Sequence, residues 1–374
     1  MSNRNRSLAI AVAAVAVVAV AGGGMLAAAR GPQNQSGAAA APLSQAPSMP
    51  PSTAPPSTTQ PPTTVKVDAT KLTMGQGPQV AYVRGRTVMG GIGKPVKVPG
   101  SRDIDGAVRL WDETLTLQVD STPKGTLVVQ DSDGKVLREV ADIDSLVGSA
   151  DGDAVAYGSG DRFAAVRQGG TVYYEKPGGP AEKLAQPKSW ALDVLSVADK
   201  TVFFSSSATP GGVASLYRWT VGQKTATVVP KLTSPLSVSA DGTLGASLPV
   251  YTDSGVCSAI TDLATGLQRW KSCQYRLDRF SPGNAFVIGL PPDTGGPVGV
   301  QSLAAVNPKT GKPIRTWTAS VISRQLAEDD DHVLLQWYAA EDVRTSSAIV
   351  RCTVSTGECE LATPLSKEPL LLGS

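Results

Sequence analysis

From about residue 79 to the C-terminus, the apolar positions come in short runs rich in β-branched and aromatic residues, such as AVAY, TVFF, AFVIG and HVLLQWY. The 3.6-residue period of an amphipathic helix is almost absent. Runs of this length bounded by Asp-Gly, Gly-Gly and Pro-Gly predict β-strands joined by tight turns. One turn recurs between two strands, as Ser149-Ala150-Asp151-Gly152, Ala198-Asp199-Lys200, Ser239-Ala240-Asp241-Gly242, Ser281-Pro282-Gly283-Asn284 and Asp329-Asp330-Asp331. With Asp112 these markers are spaced 39 to 48 residues apart. A second turn follows each marker, with its glycine 22 to 28 residues on, at Gly134, Gly179, Gly222, Gly266, Gly311 and Gly357. Each unit therefore reads as strand, turn, strand, strand, turn, strand, with the period of a β-propeller blade. Tight turns need residues that tolerate positive φ, so these Gly and Asp positions are read as mechanical.

Six units are complete, and a short first one over residues 79–100 supplies only three strands. The C-terminal Glu368-Pro369-Leu370-Leu371-Leu372 resembles the first strand of another unit, Ser234-Pro235-Leu236-Ser237-Val238, and is expected to complete the first unit. The expected fold is all-β, a seven-bladed β-propeller over residues 75–374 closed by the C-terminal strand, which leaves no open ring edge.

The pattern changes character upstream. Residues 8–29 carry no charge behind Arg4 and Arg6, and at ~1.5 Å per residue they are long enough to cross a hydrocarbon core of ~30 Å. Residues 1–30 are expected to form a signal-anchor helix with its positive end in the cytoplasm. A cleaved secretory signal ending near Ala27-Ala28-Ala29 is the competing reading, and either one exports the rest of the chain. Residues 31–74 read as a disordered linker, since residues 32–64 hold 9 Pro and 10 Ser/Thr and no charge. The Ser/Thr clusters are also O-glycosylation candidates.

The Ser-x-Asp-Gly turns before apolar strands resemble those of TolB-like and WD-type β-propellers. The run Asp262-x-x-Thr265-Gly266-x-x-x-Trp270 is similar to the blade motif of pyrroloquinoline-quinone-type propellers, with Ile260 where that motif has Ala. The next unit departs further, having Asn307 for the Asp and Trp317 two positions late. The resemblance covers roughly residues 75–374 and implies a fold but no particular activity. It implies no cofactor here, because no matching quinone-binding constellation is found.

An exported chain with four cysteines is read for disulfides, with three connectivities possible. Cys352 and Cys359 flank the Thr356-Gly357 turn. Shifted by the 91 residues to Thr265-Gly266, the same register falls one residue from Cys257 and Cys273. Two hairpin disulfides, Cys257 with Cys273 and Cys352 with Cys359, are expected, and the offset fits a bulge. No Cys-x-x-Cys spacing supports a zinc or redox site.

Chemistry is sparse. One histidine, His332, follows the acidic turn 329–331 and reads as a solvated loop residue rather than a catalytic base. The three aspartates lack EF-hand spacing for Ca²⁺. The tryptophans Trp111, Trp190, Trp219, Trp270, Trp317 and Trp337 read as packing between blades. Residues 1–64 hold three Arg and no acid, and the remaining 310 residues hold 31 Lys/Arg against 32 Asp/Glu, so no nucleic-acid partner is expected. The expected function is that of a non-catalytic cell-envelope propeller, membrane-anchored or secreted, which binds an envelope or membrane protein, or a glycan, on one face. The bilayer would be engaged through the N-terminal helix. No catalytic, metal or cofactor residue is assigned. The alternative is a metal-dependent hydrolase or lactonase using channel carboxylates, for which Asp103, Asp105, Asp193 and Asp278 are available.

Overall fold

Short apolar runs with no helix to cover them bury their surface by pairing edge to edge and stacking sheet on sheet. The computed structural model describes residues 63–120, 125–160, 168–252, 255–293 and 298–373, within the unit Thr59–Ser374. The expected helix over residues 8–29 and the linker up to residue 62 lie outside the described residues. Among the described residues the chain is all-β apart from one 3-10 turn, and no helix is long and apolar enough to cross a membrane.

Strand β1 (Thr63–Lys66) and the 3-10 turn (Ala69–Lys71) come first. The sheets follow in order: β2 (Tyr82–Arg84), β3 (Thr87–Met89) and β4 (Val96–Lys97); then β5 (Asp103–Leu110), β6 (Glu113–Val119), β7 (Gly125–Gln130) and β8 (Val136–Ile143). Next are β9 (Ser145–Gly148), β10 (Val155–Ser159), β11 (Gly170–Glu175) and β12 (Glu182–Gln186), then β13 (Trp190–Ala198), β14 (Thr201–Ser207), β15 (Ser215–Thr220) and β16 (Thr227–Thr233). The fifth sheet holds β17 (Pro235–Val238), β18 (Leu244–Thr252), β19 (Gly255–Asp262) and β20 (Gln268–Ser272). Strands β21 (Arg276–Phe280), β22 (Val287–Leu290), β23 (Val300–Val306), β24 (Pro313–Ala327), β25 (His332–Tyr338), β26 (Ser347–Thr353) and β27 (Cys359–Leu361) share one larger sheet, and β28 (Leu370–Leu372) ends the chain.

Apart from the parallel β1 at the edge of the larger sheet, every sheet is an antiparallel meander of propeller type. In the larger one, the 15-residue β24 pairs with β23 through its first part and with β25 through its second, so it ends one four-stranded meander and begins the next. β28 pairs with β2, Tyr82 opposite Leu372, and supplies the strand that the first sheet lacks. Each first strand touches the first strand of the next meander, and β28 touches both β24 and β5. Apolar clusters fill the spaces between sheets. Leu110, Leu115, Leu127 and Val129 pack with Val155 and Tyr157, and Ala156, Val172 and Tyr174 pack with Val202, Phe204 and Trp219. Strands covered on both faces have no solvent side, which is why they read as continuous apolar runs rather than alternating ones.

The recurrent Ser-x-Asp turn is a small hydrogen-bonded machine. Ser149 Oγ donates to Asp151 Oδ1 at 2.5 Å and accepts the Ala154 N–H at 2.9 Å. Ser239 does the same with Asp241 at 2.6 Å and with the Leu244 N–H at 2.9 Å. In the sixth turn Gly283 stands where the aspartate would be, and the neighbouring meander supplies the carboxylate. Asp330 Oδ1 accepts from Ser281 Oγ at 2.8 Å and from the Gly283 N–H at 2.7 Å. Asp331 bridges onward to the Ser355 N–H and Oγ, at 2.8 and 2.7 Å. The acidic run expected to be merely solvated is therefore a staple between two meanders. A Cβ on Gly283 would sit 2.0 Å from Asp330 Oδ2, so the two positions compete for one carboxylate. Asp330→Ala is expected to cost ~1–2 kcal/mol and Gly283→Asp at least as much. The double variant should cost clearly less than the sum of the two, measured as a double-mutant cycle by denaturant unfolding. Strictly additive losses would contradict the shared-carboxylate reading.

The Trp-bearing motif also bridges meanders. Trp270 Nε1 donates to Pro308 O at 2.8 Å, and its ring lies against Gly311 of the next second turn. One meander later Arg315 occupies the matching position. Its guanidinium donates to Val354 O and Ser355 O at 3.1 and 2.6 Å, so a cation does what the indole does one meander earlier. Asn307 likewise replaces Asp262 without loss of the turn, since Asn307 Oδ1 accepts from the Lys309 and Thr310 N–H groups. Trp317 is instead fully buried core. Asp262 carries more: Arg269 Nη2 donates to it at 2.9 Å, and the Thr265 N–H and hydroxyl add two bonds. The arginine bond first, then the Thr265 bonds, hold its carboxyl down at about 2. A carboxyl NMR titration should place its midpoint there, and Arg269→Ala should raise it toward 3.8. A midpoint unmoved by the substitution would remove the arginine from the turn.

Folded backbone begins earlier than composition suggests. Residues 63–74, expected to be linker, carry β1, which runs parallel to the first part of β24 with Val65 opposite Trp317, followed by the capped 3-10 turn. The Val67 N–H donates to Thr318 O at 2.7 Å and the Gly75 N–H to Leu361 O at 2.9 Å, so residues 63–77 strap the outer edges of the last two meanders. Val67 and Ala69 are buried there. Arg351 pins the strap by donating to Gln76 O and Gly77 O at 2.8 and 3.0 Å and to both Glu328 oxygens at 2.6 and 2.8 Å.

Candidate functional site

The first strands of the meanders surround a channel of about 1090 Å³. Ordinary alternation would aim every second residue at it. Several of these strands slip register by one residue instead, at Ile104/Gly106 in β5, Val194/Ser196 in β13, Pro235/Ser237 in β17, Leu277/Phe280 in β21 and Ile322/Arg324 in β24. A bulge puts an extra residue on one strand and re-aims its side chains. Runs of consecutive residues line the channel, such as Asp278-Arg279-Phe280 and Ser323-Arg324-Gln325 at these bulges and Ser145-Leu146-Val147-Gly148 on β9, whose register is unbroken.

Three of the four carboxylates expected in the channel line it, namely Asp105, Asp193 and Asp278. Asp103 does not; it is exposed at the start of β5. The three are held apart by different partners. Arg324 donates to Asp105 Oδ1 at 2.9 Å and to Asp105 O at 3.2 Å. Gln325 Nε2 donates to Asp278 Oδ2 at 2.6 Å, and Ser237 Oγ donates to Asp278 O. Asp193 is engaged as well. Ser145 Oγ accepts the Val194 N–H at 3.1 Å. The Asp278 and Ser145 bonds tie one meander to the next around the channel, and the Arg324–Asp105 pair reaches past β28 to the meander beyond it. Among the described residues no group of three His, Cys, Asp or Glu side chains converges as a metal-ligand set.

The first and second turns of each meander lie at one end of the channel, where Trp111, Asp112, Asp151 and Asp153 frame its mouth together with Ile92. Trp111 departs from the packing role expected of the tryptophans. It is 63% exposed, and Ile92 is 84% exposed. The backbone of Trp111 sits at φ 53°, in the two-residue turn between β5 and β6, which needs positive φ and which a bulky L-residue occupies at some cost. Its indole Nε1 donates to Asp153 Oδ1 of the next meander at 3.1 Å, which fixes the ring. The first turns gather charge of one sign, with Asp112, Asp151, Asp153, Asp199, Asp241, Asp329 and Asp330 exposed against Lys200. Hydrogen bonds from Ser149, the largest influence, hold the Asp151 carboxyl below its ordinary value. For Asp329 burial pushes upward, and the Asp331 N–H and His332 outweigh it.

His332 opens β25, with its partly exposed ring Nδ1 2.8 Å from Asp329 Oδ2 in its own turn. Both cysteine pairs form disulfides. Cys352 and Cys359 face each other in the β26–β27 ladder, and Cys257 bonds Cys273. The β19–β20 ladder slips by one residue between Ile260 and Thr261, which accounts for the one-residue offset between the two pairs. Two disulfides with no free cysteine fit an oxidising, extracytoplasmic compartment.

No family model matches the sequence, and no curated protein matches it. Among solved structures, an uncharacterized protein of Listeria monocytogenes is similar at TM-score 0.49 and 10% identity, over 74% of this chain and 88% of that one. A prolyl endopeptidase structure, from work on inter-domain dynamics in catalysis and specificity, aligns at TM-score 0.46 and 14% identity, over 75% of this chain and 49% of its own. TolB of Acinetobacter baumannii aligns at TM-score 0.40 and 15% identity, over 78% and 64%. The chain thus spans about half of the endopeptidase and under two thirds of TolB.

Proposed function

We propose that this chain is a non-catalytic extracytoplasmic binding module, a seven-bladed propeller whose ring is closed by the C-terminal strand and which is held to the membrane, or led out of the cell, by residues 1–30. The cycle of touching first strands and the β28–β2 ladder support the ring. The partner docks at the channel mouth, and the observation that carries this reading is Trp111, a rigid exposed aromatic beside exposed Ile92. Tryptophan is enriched at binding hot spots, where its apolar body and N–H give area and direction at little entropic cost. A protein partner with a basic contact surface fits the seven first-turn aspartates better than an acidic one. The channel carboxylates support binding over hydrolysis, because Asp105 and Asp278 are committed to side chains of other meanders.

Trp111→Ala in the full-length protein is expected to weaken partner binding at least tenfold while leaving the melting temperature within about 2 °C, because the ring buries little surface. Partner binding unchanged by the substitution would remove the mouth from the interface, and loss of glycan-array binding in its place would make the ligand a glycan.

A further inference from the structure

The channel holds two guanidiniums that no fold requirement explains. Arg276 and Arg279 both line it, and neither has a hydrogen-bond or ion-pair partner among the described residues, unlike Arg324 with Asp105 and Arg351 with Glu328. A partly buried guanidinium that faces an open cavity with no protein acceptor keeps its N–H groups available, an arrangement that suits a ligand supplying the acceptor. Arg279 lies within the β21 bulge, and both it and Arg276, three residues earlier on the same strand, line the channel. Asp278 lies between the two arginines but faces Gln325, and its single charge offsets only one of them.

We propose that the channel contains an oxyanion subsite in which Arg276 and Arg279 donate to a carboxylate or phosphate group. Planar forked donors suit both groups bidentately. The subsite lies inside the channel and does not depend on what docks at the mouth, where the first-turn aspartates disfavour an anion.

The test is calorimetric titration of the full-length protein with succinate and, separately, inorganic phosphate, with chloride at matched ionic strength as the control. Saturable binding of one or both is expected, and the stronger ligand identifies the group as carboxylate or phosphate. Arg276→Gln and Arg279→Gln should each weaken it about tenfold, in line with the loss of a charged hydrogen bond. Absence of saturable binding to either anion, or binding unchanged by both arginine substitutions, overturns the proposal. Should the substituted proteins fail to fold, the arginine Nε–H resonances of the unsubstituted protein decide: two that shift saturably support the subsite, and none that shift refute it.

Discussion

Removal of residues 367–374 should unfold the protein or lower its melting temperature by ~10 °C or more. β28 contributes Leu370 and Leu372, which pack with Tyr82, Leu334 and Ile349, and burial of two such side chains is worth ~2–5 kcal/mol each. The deletion also strands a buried amide. Gln336 Nε2 donates to Leu370 O at 2.7 Å and its Oε1 accepts the Leu372 N–H at 2.9 Å. Leaving those groups unsatisfied adds ~1–3 kcal/mol. The Tyr82–Arg84 edge would lose its only partner on that side, and the total rivals the ~5–15 kcal/mol net stability of a typical domain. Calorimetry of the truncated protein provides the check, and a melting curve like that of the full chain would mean that the C-terminal strand is an ornament.

The second large effect is expected at Arg351. Its side chain is 6% exposed and that of Glu328 1%, so the pair is removed from water, and Glu328 also accepts the Gln79 N–H at 2.5 Å. Arg351→Met should cost ~3–5 kcal/mol, because it leaves a buried carboxylate without its cation. Glu328→Gln should cost less, since an amide oxygen still accepts from Gln79. The two are distinguished by where protection is lost. Hydrogen exchange at the Val67 and Gly75 amides should accelerate in Arg351→Met, because the strap depends on the carbonyl bonds of Gln76 and Gly77. Unchanged exchange there would mean that the strap is held by β1 alone.

Much of this architecture was legible in the sequence, and the reason is local. Turn chemistry depends on few residues, so Ser149-x-Asp151-Gly152 and Asp262-x-x-Thr265-Gly266 announce their hairpins, and the hairpin register then pairs the cysteines. The staple was not legible. Asp330 serves Ser281 from 49 residues away, and only a three-dimensional neighbour relation turns an acidic loop into a structural part. The strap was missed for a related reason: residues 63–74 are strand only because the edge of β24 is there to pair with, a tertiary effect that overrides composition. The channel was half legible. Asp105, Asp193, Asp278 and Arg276 fall on first strands by counting, but Arg279 sits inside the β21 bulge, which alternation cannot reveal. Trp111 looked like the other tryptophans because its run, Leu110-Trp111-Asp112, reads as strand; its positive φ makes it the turn.

The most direct test of the account is photo-crosslinking from the two ends of the channel in the full-length protein in its native envelope. A photoreactive residue at Ile92 reports on the end that carries Trp111, and one at exposed Val213, in the β14–β15 connection, reports on the other. A discrete adduct from Ile92 that disappears in Trp111→Ala, with none from Val213, is the predicted result. Adducts from Val213 alone would place the partner on the opposite end and contradict the assignment of the mouth.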